Sequence, residues 1–215
     1  MKITVPARLM QTYKECFFDE TYFKGLPRDI KKSLTNVVDI GANVGYFSLS
    51  VFSIAPEAKV FAYEPMPNNF DLLKKYQSEH SNLDFNIINK AVSGRKETLV
   101  LHYDANDSYT TAASIFEDEN QPNQIEVGTT TLEEIIAGDN LTHIDFLKLD
   151  CEGSEYEIIY GAPASVLEKI SIIAIETHRG QGDRENIGSL SDFLRQKNFE
   201  INILRSKIWA WRASL

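Results

Sequence analysis

The chain has 215 residues, with 22 Lys and Arg against 31 Asp and Glu, a formal net charge of -9, 43% hydrophobic and 25% charged residues. That profile fits one α/β domain with a modest appendage and excludes a disordered or fibrous chain. The acidic balance repels phosphate backbones and argues against a nucleic-acid substrate. The longest apolar runs, such as residues 170–175, are far too short to span a bilayer. Cys16 and Cys151 make neither a disulfide framework nor a zinc site, and the N-terminal MKITVPARLM lacks the apolar core of a signal peptide. A cytoplasmic location is the default expectation.

Residues 1–35 mix aromatic and charged side chains (Tyr13, Phe17, Phe18, Tyr22, Phe23) and read as a cap or lid ahead of a domain over 36–215. From residue 36 two kinds of segment alternate, as βαβ units do. Short β-branched runs at 36–40, 59–63, 83–89, 144–149 and 171–176 predict strands buried on both faces of a parallel sheet. Helical patterns fall at 44–54, 67–80, 132–137, 153–161, 163–169 and 189–197. Residues 199–204 and 207–212 then predict two strands around a turn at Arg205 and Ser206, an antiparallel pair closing one sheet edge. The polar stretch 103–127 breaks the rhythm and reads as a long functional loop, an acceptor-facing wall and lid together with part of 1–35.

The sharpest motif is VVDIGANVGYFS at 37–48, a strand, a glycine-bearing turn and a helix start. Gly41 permits a sharp turn and close approach to a ligand, and Gly45 permits close packing of helix on sheet. A dinucleotide site would want GxGxxG here; this turn reads GANVG, and Asp39 adds a carboxylate suited to an ammonium or sulfonium rather than a pyrophosphate. Glu64, ending FAYEP some twenty residues on, is placed to accept ribose hydroxyls. The run NKAVSG brings small and apolar residues, Ala91 and Val92, to the same sheet edge. Asp150 and Glu152, in FLKLDCEGSE, would face one side if extended, although Glu152 also suits a helix start. His178, in IAIETHR, stands at the cleft mouth, where imidazole can act as a base near neutral pH. His80, His102 and His143 read as structural.

Taken together, VDIGANVGYFSL, YEPMPNNFDLLKKY, NKAVSG, TTLEEII, IDFLKLDCEGSEYEIIYGA and IETH resemble the FkbM family of methyltransferases in order and spacing over about residues 36–180. The resemblance implies a doubly wound, Rossmann-like class I methyltransferase fold of the α/β class. Its seven-stranded sheet would be mostly parallel with an antiparallel last strand. It implies S-adenosylmethionine as methyl donor and a hydroxyl on a sugar or polyketide-like small molecule as acceptor. Carried over by motif, Asp39, Gly41, Asn43 and Gly45 would hold the methionine portion, Glu64 the ribose, and Ala91 and Val92 the adenine. Asp150 would line both cofactor site and reaction centre.

Three readings follow. The first is an O-methyltransferase that aligns acceptor and methyl donor, with Asp150 and His178 as catalytic residues. A metal-assisted variant on Asp150, Glu152 and His178 is permitted but not demanded by the spacing, and no metal is assigned. The second is an NAD-dependent oxidoreductase, against which GANVG argues. The third is a non-catalytic S-adenosylmethionine-binding protein.

Overall fold

In the computed structural model, which describes residues 2–27, 34–106, 109, 113–116, 119–178 and 180–213, the alternation expected from residue 36 is present. Residues 1, 28–33, 107, 108, 110–112, 117, 118, 179, 214 and 215 lie outside the described residues, and with them parts of the expected cap, loop, cleft-mouth and domain segments. Helix α1 (Met10–Phe17) precedes β1 (Asn36–Ile40), α2 (Tyr46–Ile54), β2 (Lys59–Tyr63), α3 (Pro67–Glu79) and β3 (Asp84–Ile88). There follow β4 (Ala91–Val92), β5 (Thr98–Tyr103), β6 (Asn123–Thr130), α4 (Leu132–Gly138) and β7 (Ile144–Leu149). The chain ends with α5 (Glu155–Gly161), α6 (Ala164–Leu167), β8 (Ile170–Glu176), α7 (Ile187–Gln196), β9 (Glu200–Leu204) and β10 (Lys207–Trp211).

The main sheet has seven strands in the order β3-β2-β1-β7-β8-β10-β9. Its first five run parallel, and β10 is antiparallel to both β8 and β9. Strand β8 (ISIIAIE) is buried along nearly its whole length because helices cover both faces. Helix α3 starts at Pro67, whose missing N–H belongs to a position that has no helical acceptor anyway. Thr131 and Asn186 cap α4 and α7 through side-chain oxygens that accept from Glu134 N and Ser189 N. No helix among the described residues is long and apolar enough to cross a membrane.

Two core clusters flank the sheet. One joins α2 and α3 to Phe146 and Trp209, and Leu9, Cys16, Tyr22, Phe23 and Leu26 of the N-terminal segment are buried in it. The other packs α4, α5, α6 and α7 on the opposite face. A second, three-stranded sheet, β4-β6-β5, corrects the loop reading of 103–127 at its two ends. Tyr103 ends β5, and residues 123–127 open β6, with Leu101 facing Ile125 across the antiparallel pair. Strand β6 (NQIEVGTT) is exposed on alternate positions, so its polar residues are an outer strand face rather than a loop signature.

Strand order reverses between β1, whose neighbour β2 follows it in sequence, and β7 on its other side. In open α/β sheets the crevice beyond the strand ends at such a point is the ligand position.

Candidate active site

The turn after β1 is built by backbone that few side chains tolerate. Gly41 has φ +71°, Asn43 φ 52° and Gly45 φ 85°, all in the left-handed region. The sequence reading has Gly41 make room for a ligand; a Cβ there would stand 1.8 Å from the carbonyl oxygen of Asp150, so the missing side chain makes room for the neighbouring strand end. A Cβ on Gly45 would reach within 2.5 Å of Leu73 on α3.

Hydrogen bonds of this turn discriminate between ligands. Gly41 N and Ala42 N both donate to Tyr63 O, at 3.1 and 2.9 Å. Gly45 N donates to Ala42 O at 2.8 Å, and Asn43 N donates to Glu64 Oε2 at 2.8 Å. A pyrophosphate is held by free backbone N–H groups at such a turn. Here four of them already have acceptors within the protein, and a buried carboxylate occupies the position beside them.

Glu64, only 4% exposed, directly follows β2 and also accepts from Met66 N at 2.9 Å and Asn69 Nδ2 at 3.3 Å. Burial pushes its carboxyl up to about 7, and the donated hydrogen bonds pull the other way without cancelling it. It lines a cleft together with Gly41, Asn43, Ala91, Val92 and Asp150. The opposite wall is apolar and comes from the small sheet: Leu99 and Leu101 of β5, with Ala113. Those wall residues were not singled out by sequence, because the strand carrying them was not recognised.

Asp39 and Gly45 do not line the cleft. Asp39 is fully buried beneath it, accepting from Ser48 Oγ at 2.6 Å and pairing with Lys148 Nζ at 3.2 Å. The two residues face each other across the β1–β7 register. Lys148, also buried, donates to Gly41 O at 2.6 Å and Ile40 O at 3.3 Å. Burial alone would lower the ammonium pKa, but Asp39 and Asp150 outweigh it and hold the group above the ordinary lysine range. Lys148 therefore ties the turn's carbonyls to Asp39, and the negative charge expected to face a sulfonium is compensated inside the protein. A single charge inside the apolar run IDFLKL was the signal that could have revealed it.

Asp150 follows β7 and lines the cleft; Tyr22 Oη donates to its Oδ2 at 2.6 Å. Glu152 reaches the same cleft, but not as the extended i, i+2 neighbour expected: its φ is 52° and that of Gly153 is 116°. Burial raises its carboxyl to about 7, with His178 opposing and Asp150 adding to the rise. His178 lies outside the lining, 3.7 Å from Asp150 and 3.4 Å from Glu152 through Nε2. Its Nδ1 meets the fully buried Glu155 Oε1 at 2.7 Å. Burial disfavours the imidazolium, yet Glu155, Glu152 and Asp150 together raise its pKa to about 9. Without another cation nearby, this ring is charged at neutral pH and not the free base its ordinary pKa suggests. His80 is buried with Nδ1 on Tyr76 O, His102 is buried in β5, and His143 pairs with Ser171 Oγ.

The chain is similar to known methyltransferases. Methyltransferase sdnD of Sordaria araneosa is 29% identical over 229 residues, covering 92% of this chain and 84% of that protein. The 31-O-demethyl-FK506 methyltransferase FkbM of Streptomyces tacrolimicus is 25% identical over 219 residues, 88% of this chain and 81% of the relative. The crystal structure of a methyltransferase FkbM from Methylobacillus flagellatus KT matches with a TM-score of 0.64 at 16% identity, covering 93% of this chain and 48% of that one. This chain thus spans about half of that solved chain, and the likeness is one of fold. A family model for the methyltransferase FkbM domain matches residues 39–201, and the chain belongs to that family.

Proposed function

We propose that the protein is an S-adenosylmethionine-dependent O-methyltransferase, working in the cytoplasm on a hydroxyl of a sugar or polyketide-like small molecule, without nucleic-acid or membrane partners. The observation that carries this reading is the buried Glu64 carboxylate, set between a turn whose amides are engaged and an apolar wall of Ala91, Val92 and Leu101. A carboxylate accepts two ribose hydroxyls, and the apolar wall suits the faces of an adenine. Asn43 Oδ1 is buried with no partner among the described residues, an acceptor fitted to an amino acid's ammonium. Around the mouth, Asp150, Glu152 and Glu155 set up a negative potential that attracts a cationic ligand. These groups fit S-adenosylmethionine, which when bound supplies a methyl group on a cationic sulfur.

The chain's own residues then act by placement. Tyr22 holds Oδ2 of Asp150, which leaves Oδ1 to orient an acceptor hydroxyl. The small sheet supplies part of the cleft wall. Alignment of this kind accounts for much of the acceleration in a bimolecular transfer. Support for oxygen as the acceptor atom comes from the 31-O-demethyl-FK506 methyltransferase among the relatives. Free thiols at Cys16 and Cys151 suit a reducing compartment.

Calorimetric titration with S-adenosylhomocysteine, S-adenosylmethionine and NAD tests the cofactor. The first two should bind and NAD should not; the reverse result sinks the reading. Transfer of a labelled methyl group to a panel of hydroxylated and aminated small molecules then tests the acceptor atom, and transfer to amines alone would refute O-methylation.

A further inference from the structure

We propose that Asp150, Glu152 and His178 form a divalent-cation site at the mouth of the cleft. One nitrogen or carboxylate oxygen from each of the three residues lies within 4.8 Å of the others. The two sides of the imidazole differ in a way that points to a ligand between them. Nδ1 closes to 2.7 Å on Glu155. Nε2 stands off from both carboxylates, at 3.7 and 3.4 Å, beyond a good N–H···O bond. An ordinary histidine–carboxylate pair would close on this side as it does on the other. Adjacent donors around an ion at about 2.1 Å are roughly 3 Å apart in octahedral geometry, so the three donors would draw together around the ion.

Independent contacts hold each donor for that task. Glu155 is fully buried, and its carboxylate also accepts from Cys151 N and Gly153 N, both at 3.0 Å. It therefore fixes the ring with Nδ1–H inward and the Nε2 lone pair outward, the carboxylate–histidine–metal arrangement. Tyr22 takes Oδ2 of Asp150 and leaves Oδ1 free. No hydrogen bond reaches the Glu152 carboxylate among the described residues. Two carboxylates and one imidazole suit Mn²⁺ or Mg²⁺ with positions left for water or an acceptor oxygen. If the O-methylation reading holds, the ion would bind the acceptor hydroxyl and let its proton pass to solvent nearer neutral pH.

Mn²⁺ is the probe: titration of the full chain, followed by the loss of the free-ion electron paramagnetic resonance signal, should reveal one saturable site. Glu152→Gln and His178→Gln should each weaken it at least tenfold, and His178→Gln, whose side chain lies outside the cleft lining, should leave S-adenosylhomocysteine affinity within about twofold. That second reading shows that a variant is folded and separates this proposal from the cofactor assignment. No saturable Mn²⁺ binding by the native chain overturns the site, as does binding by both variants as tight as that of the native chain. Bound Mn²⁺ with methyl transfer indifferent to EDTA would keep the site and overturn its role.

Discussion

At Glu64, one side chain couples folding, pH and ligand binding. Its folded-state carboxyl is raised from 4.5 to about 7, chiefly by burial. An acid with a raised pKa holds its proton more tightly in the folded than in the unfolded chain. Between those two values the unfolded chain ionises first, so stability falls as pH rises through the window and is level on either side. At ~1.36 kcal/mol per pH unit the loss is on the order of 3 kcal/mol. Denaturant unfolding of the ligand-free protein at pH 4.5 and pH 8 should show this slope, and Glu64→Gln should remove Glu64's share of it, because the raised Glu152 and His178 add losses of the same sign over that range. The same variant should bind S-adenosylhomocysteine at least tenfold more weakly, because hydrogen bonds to a charged acceptor contribute ~1.5–3 kcal/mol each. A flat pH profile in the native protein would contradict the burial argument, and unchanged affinity would remove Glu64 from the ribose position.

Strand β5 decides what the cleft binds. Its inward residue Leu101 is 5% exposed and packs with Met66, Ala91 and Val127 in a cluster of its own beneath the small sheet. Its neighbour Val100 points outward and is 41% exposed. Leu101→Ala should therefore cost ~2–3 kcal/mol and also weaken nucleoside binding, since the same side chain forms the apolar wall. Val100→Ala should stay within ~0.5 kcal/mol. Thermal melts paired with calorimetric titration check both. Lost stability at Leu101 with unchanged nucleoside affinity would show that the small sheet supports the fold but not the ligand. Sequence placed the seven main strands within a residue or two but not this sheet, because β5 and β6 bury only one face and their outer residues read as loop.

For the whole molecule, the N-terminal segment is the least legible and the most consequential part. Tyr22 and Phe23 pack on Phe47 with ring centroids 5.2 and 5.6 Å apart, and Trp209 Nε1 donates to Tyr22 O at 3.0 Å. Leu9, Tyr22, Phe23 and Leu26 are all buried. At roughly 1.5–3 kcal/mol for each buried side chain, their removal forfeits on the order of 10 kcal/mol. That equals the whole stability of a typical domain, ~5–15 kcal/mol. A chain lacking residues 2–27 should lose its cooperative thermal transition, followed by circular dichroism. A truncated chain that still melts cooperatively and binds S-adenosylhomocysteine would show that the segment is a detachable lid after all.

By itself the sequence determined the alternation of strands and helices, the glycine turn and the strand ends that carry Glu64, Asp150 and His178. These are local properties: hydrophobic period, β-branching and backbone freedom are all written within a few consecutive residues. Only the tertiary structure decided the partners. Asp39 meets Lys148 through sheet register, His178 meets Glu155 across 23 positions, and Tyr22 meets Asp150 across 128. Charge compensation and pKa depend on through-space distance and on burial, and the strand order that brings β7 beside β1 sets both. Asp39 was therefore legible as a carboxylate near the turn, while its neutralisation by Lys148 became visible only once the sheet had assembled.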